Sequence, residues 1–149
     1  MPPTAPAIDY GHVQPAQVYF DDLDAMGLLH HARYAMILDR ALTAYWAGRG
    51  YVIGGGNMSP DSFNVVRELT IEYRAPIVAH GEVLVHLWLN HLGTTSAEYG
   101  FRILSADGGV VHAEGRRGVV KIDPSTLRPT PWTDQVRADV AELLRPAQP

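Results

Sequence analysis

Three carboxylates and two imidazoles fall within eleven residues, Asp21-Asp22-Leu23-Asp24-Ala25-Met26-Gly27-Leu28-Leu29-His30-His31. Aspartate and histidine at this density can supply general acid–base chemistry, or nucleophilic attack by a carboxylate. The segment runs directly into a stretch of helical periodicity that begins at Arg33. A loop feeding a helix N-terminus adds unpaired amide donors and the positive end of the helix dipole, both of which stabilise developing negative charge. One carboxylate beside such amides is enough, in principle, to hydrolyse an activated acyl group. Asp22 and Asp24 also have an ordinary reading as a turn and helix-entry pair. Metal binding is not expected, because the adjacent side chains of His30 and His31 diverge and no third well-spaced ligand follows.

The elements that must position this segment are legible from hydrophobic spacing. Tyr34, Ile37, Leu38, Ala41, Tyr45 and Gly48 form one apolar stripe and predict a helix over 33–48, followed by a loop carrying Gly54-Gly55-Gly56. From Asn64 the period changes to two: Val65, Arg67, Leu69, Ile71 and Tyr73 alternate with Val66, Glu68, Thr70, Glu72 and Arg74. The run from Val83 to His91 is apolar on both faces except for His86, Asn90 and His91, and predicts a buried central strand. Ala97, Tyr99, Phe101 and Ile103 form the next alternation, and Asp107-Gly108 signals a hairpin into 110–122. A short strand is expected near 18–20. A closing helix is expected over 133–144, capped by Thr133, with Val136, Val140, Leu143 and Leu144 inward. Strands joined by tight turns are antiparallel neighbours, so the expectation is an α+β fold: an antiparallel sheet packed against one long central helix, plus a short C-terminal helix. Nine of the eleven prolines lie in 1–15 or 124–149, which sets the expected ordered core at about 16–123 of a single domain spanning 1–149.

Composition narrows the function classes. The chain has 149 residues, 46% of them hydrophobic, with no cysteine, which removes thiol nucleophiles, disulfides, thiolate zinc sites and iron–sulfur clusters. A net charge of −4 speaks against a nucleic-acid partner. The amino terminus has no basic start followed by an apolar run, and no stretch approaches a membrane span, so a cytoplasmic location is expected and no membrane partner. A sheet covered by one helix leaves an edge and a face to protect, which predicts a homodimer or homotetramer.

The segment from Asp22 to Tyr34 resembles the D-x-D-x-x-G-x-V-x-x-x-x-Y signature of the 4-hydroxybenzoyl-CoA thioesterase-like family of acyl-CoA thioesterases, whose fold is the hotdog. Leu23, Leu29 and Arg33 depart from its usual residues. The similarity continues through Val66 to Pro76, which is similar to the family strand ending in Y-x-x-P, and through Gly93-Thr94-Thr95-Ser96 at the next hairpin. The resemblance implies hydrolysis of an acyl-CoA or acyl-carrier-protein thioester to a free acid. Asp24 is then the catalytic carboxylate, as nucleophile or general base, and His31 a second active-site residue. Gly27 would allow close backbone approach, Tyr34 would support the pocket, and amides near His31 would polarise the carbonyl. No cofactor is implied, since coenzyme A is part of the substrate.

Arg116 and Arg117, with Lys121, are read as a candidate cradle for the coenzyme's nucleotide phosphates, against the ordinary reading of a solvated strand face. His86, His91 and His112 are read as packing or surface residues. Two other functions remain open from sequence: a hydratase or dehydratase acting on acyl thioesters, and a non-catalytic acyl-CoA or acyl-carrier binding protein.

Overall fold

A computed structural model describes residues 8–146. Five strands, β1 (His12–Val18), β2 (Asn64–Tyr73), β3 (Gly81–Leu92), β4 (Ser96–Ser105) and β5 (Val111–Lys121), form one antiparallel sheet in the order β1-β3-β4-β5-β2. The long helix α1 (Arg33–Gly48) lies on one face of the sheet, and a short helix α2 (Asp134–Asp139) follows β5. This is the architecture expected of a hotdog fold. The apolar stripe of α1 is buried at Tyr34, Ile37, Leu38, Ala41 and Tyr45. It packs on Val83, Val85, Leu87, Leu89, Phe101, Ile103 and Ala113, all buried in the same core.

The ordered core is wider than the prolines suggest. The first strand covers His12–Val18 rather than 18–20, and Phe20–Asp22 is a single 3₁₀ turn. Pro15 is tolerated inside β1 because β1 is an edge strand, where a missing ladder donor costs little. At the other end, Trp132, Val136, Val140 and Leu143 are buried in the core beyond Asp123. Thr133 does cap α2, its hydroxyl accepting from the Val136 amide. Leu144 is 40% exposed rather than inward, because the helix tightens into a 3₁₀ turn after Asp139. The backbone there pairs with β3 instead: the Leu89 amide donates to Leu143 O (2.8 Å) and the Arg145 amide to Leu89 O (2.8 Å).

β2 departs most from its expected alternation. A bulge between Val66 and Glu68 puts two residues opposite one, so parity changes at Arg67. Val66 pairs with Val119 and Leu69 with Arg117, on the helix side, while Val65 pairs with Val120 on the other. β2 is also the second edge of the sheet, and Val65, Val66, Leu69 and Tyr73 stay 38–53% exposed.

Candidate active site

The loop before α1 is built by short-range hydrogen bonds. The Tyr19 amide donates to Asp22 Oδ2 (2.9 Å), closing the 3₁₀ turn. Leu23 and Leu29 then form an antiparallel bridge, and the Asp24 amide donates to Leu28 O (2.7 Å). This makes a miniature hairpin whose tip turns at Gly27, at φ 78°, a left-handed conformation that a side chain disfavours. The Leu29 amide bonds Ile77 O (2.9 Å), stitching the loop to the segment after β2.

Asp24 sits within this hairpin. Its Oδ1 accepts from the Met26 (2.8 Å) and Leu28 (3.1 Å) amides, fixing the carboxylate's orientation, while Oδ2 makes no hydrogen bond among the described residues. A half-buried carboxylate with one oxygen clamped and one free is able to take a proton from water or to attack a carbonyl. Asp22, two residues earlier, is only 3% exposed and is fully engaged. Burial opposes its charge, but the Arg40 guanidinium and the Tyr19 amide outweigh that effect and hold the carboxyl below its ordinary 3.8. The two aspartates of the motif therefore differ in environment, one an anchor and one available.

At the helix start, the His30 ring accepts from the Ala32 amide through Nδ1 (3.1 Å) and stacks on the exposed His31 ring at 4.4 Å. His31 O accepts from the Tyr73 hydroxyl (3.1 Å), which pins the start of α1 to the C-terminal end of β2. Ala32 occupies the N-cap position, no side chain caps the helix, and the Arg33 amide donates to His30 O (2.8 Å), which leaves the Tyr34 and Ala35 amides without a side-chain acceptor. Tyr34 is buried against Tyr73, edge to face at 5.0 Å, and burial raises its hydroxyl pKa above 10.0. Asp24 and Gly27 thus lie in the hairpin, and His31 and Tyr34 at the start of the helix that follows it.

Arg116 and Arg117 are not brought together. They alternate across β5: Arg116 is exposed beside Glu68 (3.4 Å), whereas Arg117 turns under α1 to pair with Asp39. Lys121 is in the interior, donating to Pro131 O (2.9 Å) and pairing with Asp61 (3.1 Å). The strand alternation that splits this trio is the same one that signalled the strand. Asp61, absent from the sequence reading, also accepts from the amide and hydroxyl of Thr133 and fastens the C-terminal segment. Its partners are sixty or more residues away, so local spacing gave no signal. His86 is buried against Tyr10 O (3.0 Å), His112 holds Ala75 O (2.9 Å), and His91 is exposed.

A cleft opens between the second half of α1 and the sheet, with about 870 Å³ of empty space including its mouth. Trp46, Tyr51, Tyr99, Arg117 and Trp132 are among its walls, and none of Asp24, Gly27, His31 or Tyr34 is. Leu42, the first helical residue on its wall, is nine residues beyond Arg33, about 14 Å along the axis.

The five-stranded antiparallel sheet with one long helix on its face is consistent with a hotdog fold. Residues 26–112 match the family model described as the Thioesterase superfamily, and the chain belongs to that family. It is 29% identical over 115 residues to the acyl-CoA thioester hydrolase YbgC of Escherichia coli, across 77% of this chain and 84% of that protein. Among solved structures it resembles the PA5185 protein of Pseudomonas aeruginosa, with 26% identity, a TM-score of 0.80, and coverage of 93% and 95% of the two chains. A Thermus thermophilus thioesterase crystallised with coenzyme A and zinc shares the fold at 23% identity and a TM-score of 0.70, covering 87% of this chain and 96% of that one. Among the described residues, no three His, Cys, Asp or Glu side chains gather as metal ligands. No helix among them is long and apolar enough to cross a membrane.

Proposed function

We propose that the protein is an acyl-CoA thioesterase, hydrolysing an acyl thioester to a free carboxylic acid and coenzyme A. The observation that carries this reading is the Asp24 carboxylate, clamped through Oδ1 and free at Oδ2, at the mouth of a helix whose first amides lack a side-chain cap. The thioester carbonyl sits against those amides, which stabilise the oxyanion as it forms. Asp24 either takes a proton from the attacking water or attacks the carbonyl to give an anhydride that water then opens. The carbon–sulfur bond breaks, and the thiolate leaves without a strong general acid. His31, exposed beside this point, orients the water or the carbonyl.

The site is shared between two copies. β2 presents an unpaired edge with exposed apolar side chains, which invites a second β2. Pairing about a two-fold axis sets the strands antiparallel, so Tyr73 of one copy lies towards Asn64 of the other. Tyr73 holds the helix start and Asn64 lines the cleft, so the catalytic junction of each copy would meet the cleft of its neighbour. This resolves the separation between the cleft and Asp24 within one chain.

Free-thiol release across a panel of acyl-CoAs tests the activity. Asp24→Asn should lower kcat by ~10²-fold or more on the best substrate. Full activity in that variant would remove Asp24 from the mechanism, and acyl-CoA binding without thiol release by the native protein would leave a binding protein instead.

A further inference from the structure

The cleft beneath α1 has aromatic walls and several polar side chains, Thr43, Asp61, Ser62, Asn64 and Arg117 among them. The aromatic side chains on its walls have their polar atoms engaged: Trp46 Nε1 donates to the Tyr99 hydroxyl (2.9 Å), Tyr51 donates to Asp139 (2.6 Å) and Trp132 Nε1 donates to Ser96 O (3.0 Å). Asp61 is engaged by Thr133 and Lys121. The Tyr99 hydroxyl accepts from Trp46 but finds no acceptor for its own proton among the described residues. Arg117 faces Tyr99 directly across the β4–β5 ladder, on the same face of the sheet. Its side chain is 15% exposed; Nη1 holds Asp39, and its buried Nε has no partner among the described residues. The Tyr99 hydroxyl and Arg117 Nε are thus two donors without acceptors, on neighbouring residues that both line the cleft. Leaving buried donors unpaired is costly, and a ligand acceptor removes that cost.

We propose that the cleft receives the far end of the acyl group and selects acyl groups that end in a hydrogen-bond acceptor, with Tyr99 and Arg117 as the residues that determine this specificity. The inference rests on the thioesterase reading above. Hydroxyl and carboxylate oxygens share the required chemistry, one neutral and one anionic. Burial pushes the Tyr99 hydroxyl up to about 12, so it remains a donor throughout the neutral range. The assignment also moves Arg117 from a grip on nucleotide phosphates to a grip on the acyl group. A site built to bond an oxygen discriminates strongly against the analogue that lacks it, because the site's own groups are then left unpaired.

Two matched pairs test this: 4-hydroxyphenylacetyl-CoA against phenylacetyl-CoA, and adipyl-CoA against hexanoyl-CoA. The expected result is a kcat/KM ratio of at least ~10 in favour of the oxygen-bearing member of one pair, and the pair concerned tells hydroxyl from carboxylate. Tyr99→Phe and Arg117→Met should each bring that ratio towards one, with cooperative melting as the check on folding. Ratios below tenfold in both pairs, or a ratio that survives both substitutions, would overturn the proposal. If no acyl-CoA is hydrolysed, the hydrolase reading fails by itself, and calorimetric dissociation constants for the same pairs read the specificity of the cleft.

Discussion

Asp22 and Arg40 are joined by two hydrogen bonds, of 3.1 and 3.4 Å, that fasten the loop before α1 to a residue two turns into the helix. The carboxylate is 3% exposed and the guanidinium 34%, so the pair lies between a surface bridge and a buried one. Removing the acid strands Arg40 beside Arg33, whose Nε is 4.0 Å from Asp22. Asp22→Ala is therefore expected to lower unfolding stability by about 2–3 kcal/mol, measured by urea denaturation.

The same pair predicts a pH dependence. A carboxyl held below its unfolded value of 3.8 contributes stability above that pH and loses it as pH falls through the lower folded value. Asp61 behaves alike: burial opposes its charge, but Thr133 and Lys121 prevail and its pKa is also lowered from 3.8. The urea midpoint should hold between pH 7 and 5 as far as these two groups are concerned, then fall steeply below about pH 4. Asp22→Asn and Asp61→Asn should each flatten the acid limb while lowering the plateau.

Asp24 should behave in the opposite way to Asp22. Asparagine at 24 keeps an oxygen able to accept from the Met26 and Leu28 amides, so the hairpin survives. Asp24→Asn is expected to melt within a few degrees of the native protein while kcat falls by ~10²-fold or more. Circular dichroism melting and thiol release on one preparation would show this dissociation of stability from activity. An Asp24→Asn variant that unfolds as readily as Asp22→Ala would contradict the division of labour.

The β2 edge gives a prediction about assembly. Leu69 is 38% exposed and Val66 48%, both on the helix side of the sheet. Leu69→Lys and Val66→Glu place charge where a second β2 would pack, and are expected to shift sedimentation from dimer towards monomer. On the proposed shared site, activity per chain should fall in parallel with the dimer fraction. Monomers retaining full activity would rule out a shared site.

Much of this architecture could be read from spacing. The stripe from Tyr34 to Gly48 and the apolar run at Val83–Leu89 mark α1 and β3 because burial demands those periods. The Asp24–Gly27–Tyr34 order located the loop–helix junction. What escaped was long-range. The signature singled out Asp24, but the anchoring of Asp22 was not legible, since its partner Arg40 is eighteen residues on. The bulge at Arg67 reverses the parity of β2 without a glycine to announce it. Lys121 reads as surface charge until Asp61 and the Pro131 carbonyl are seen around it. Proline misled at both ends, because an edge strand accepts Pro15, and Pro124, Pro129 and Pro131 lead into a segment that docks on the core.

That docked segment has a consequence for how the protein is made. Leu89 is met on its open side by Leu143 and Arg145, and Trp132, Val136 and Val140 wall the cleft. A segment synthesised some fifty residues after Leu89 thus closes that strand. The cleft is finished only once residues 132–140 have joined the rest of its wall. A ligand seated in it would slow hydrogen exchange across residues 132–145 more than across β1, coupling occupancy of the cleft to retention of the carboxy-terminal strap.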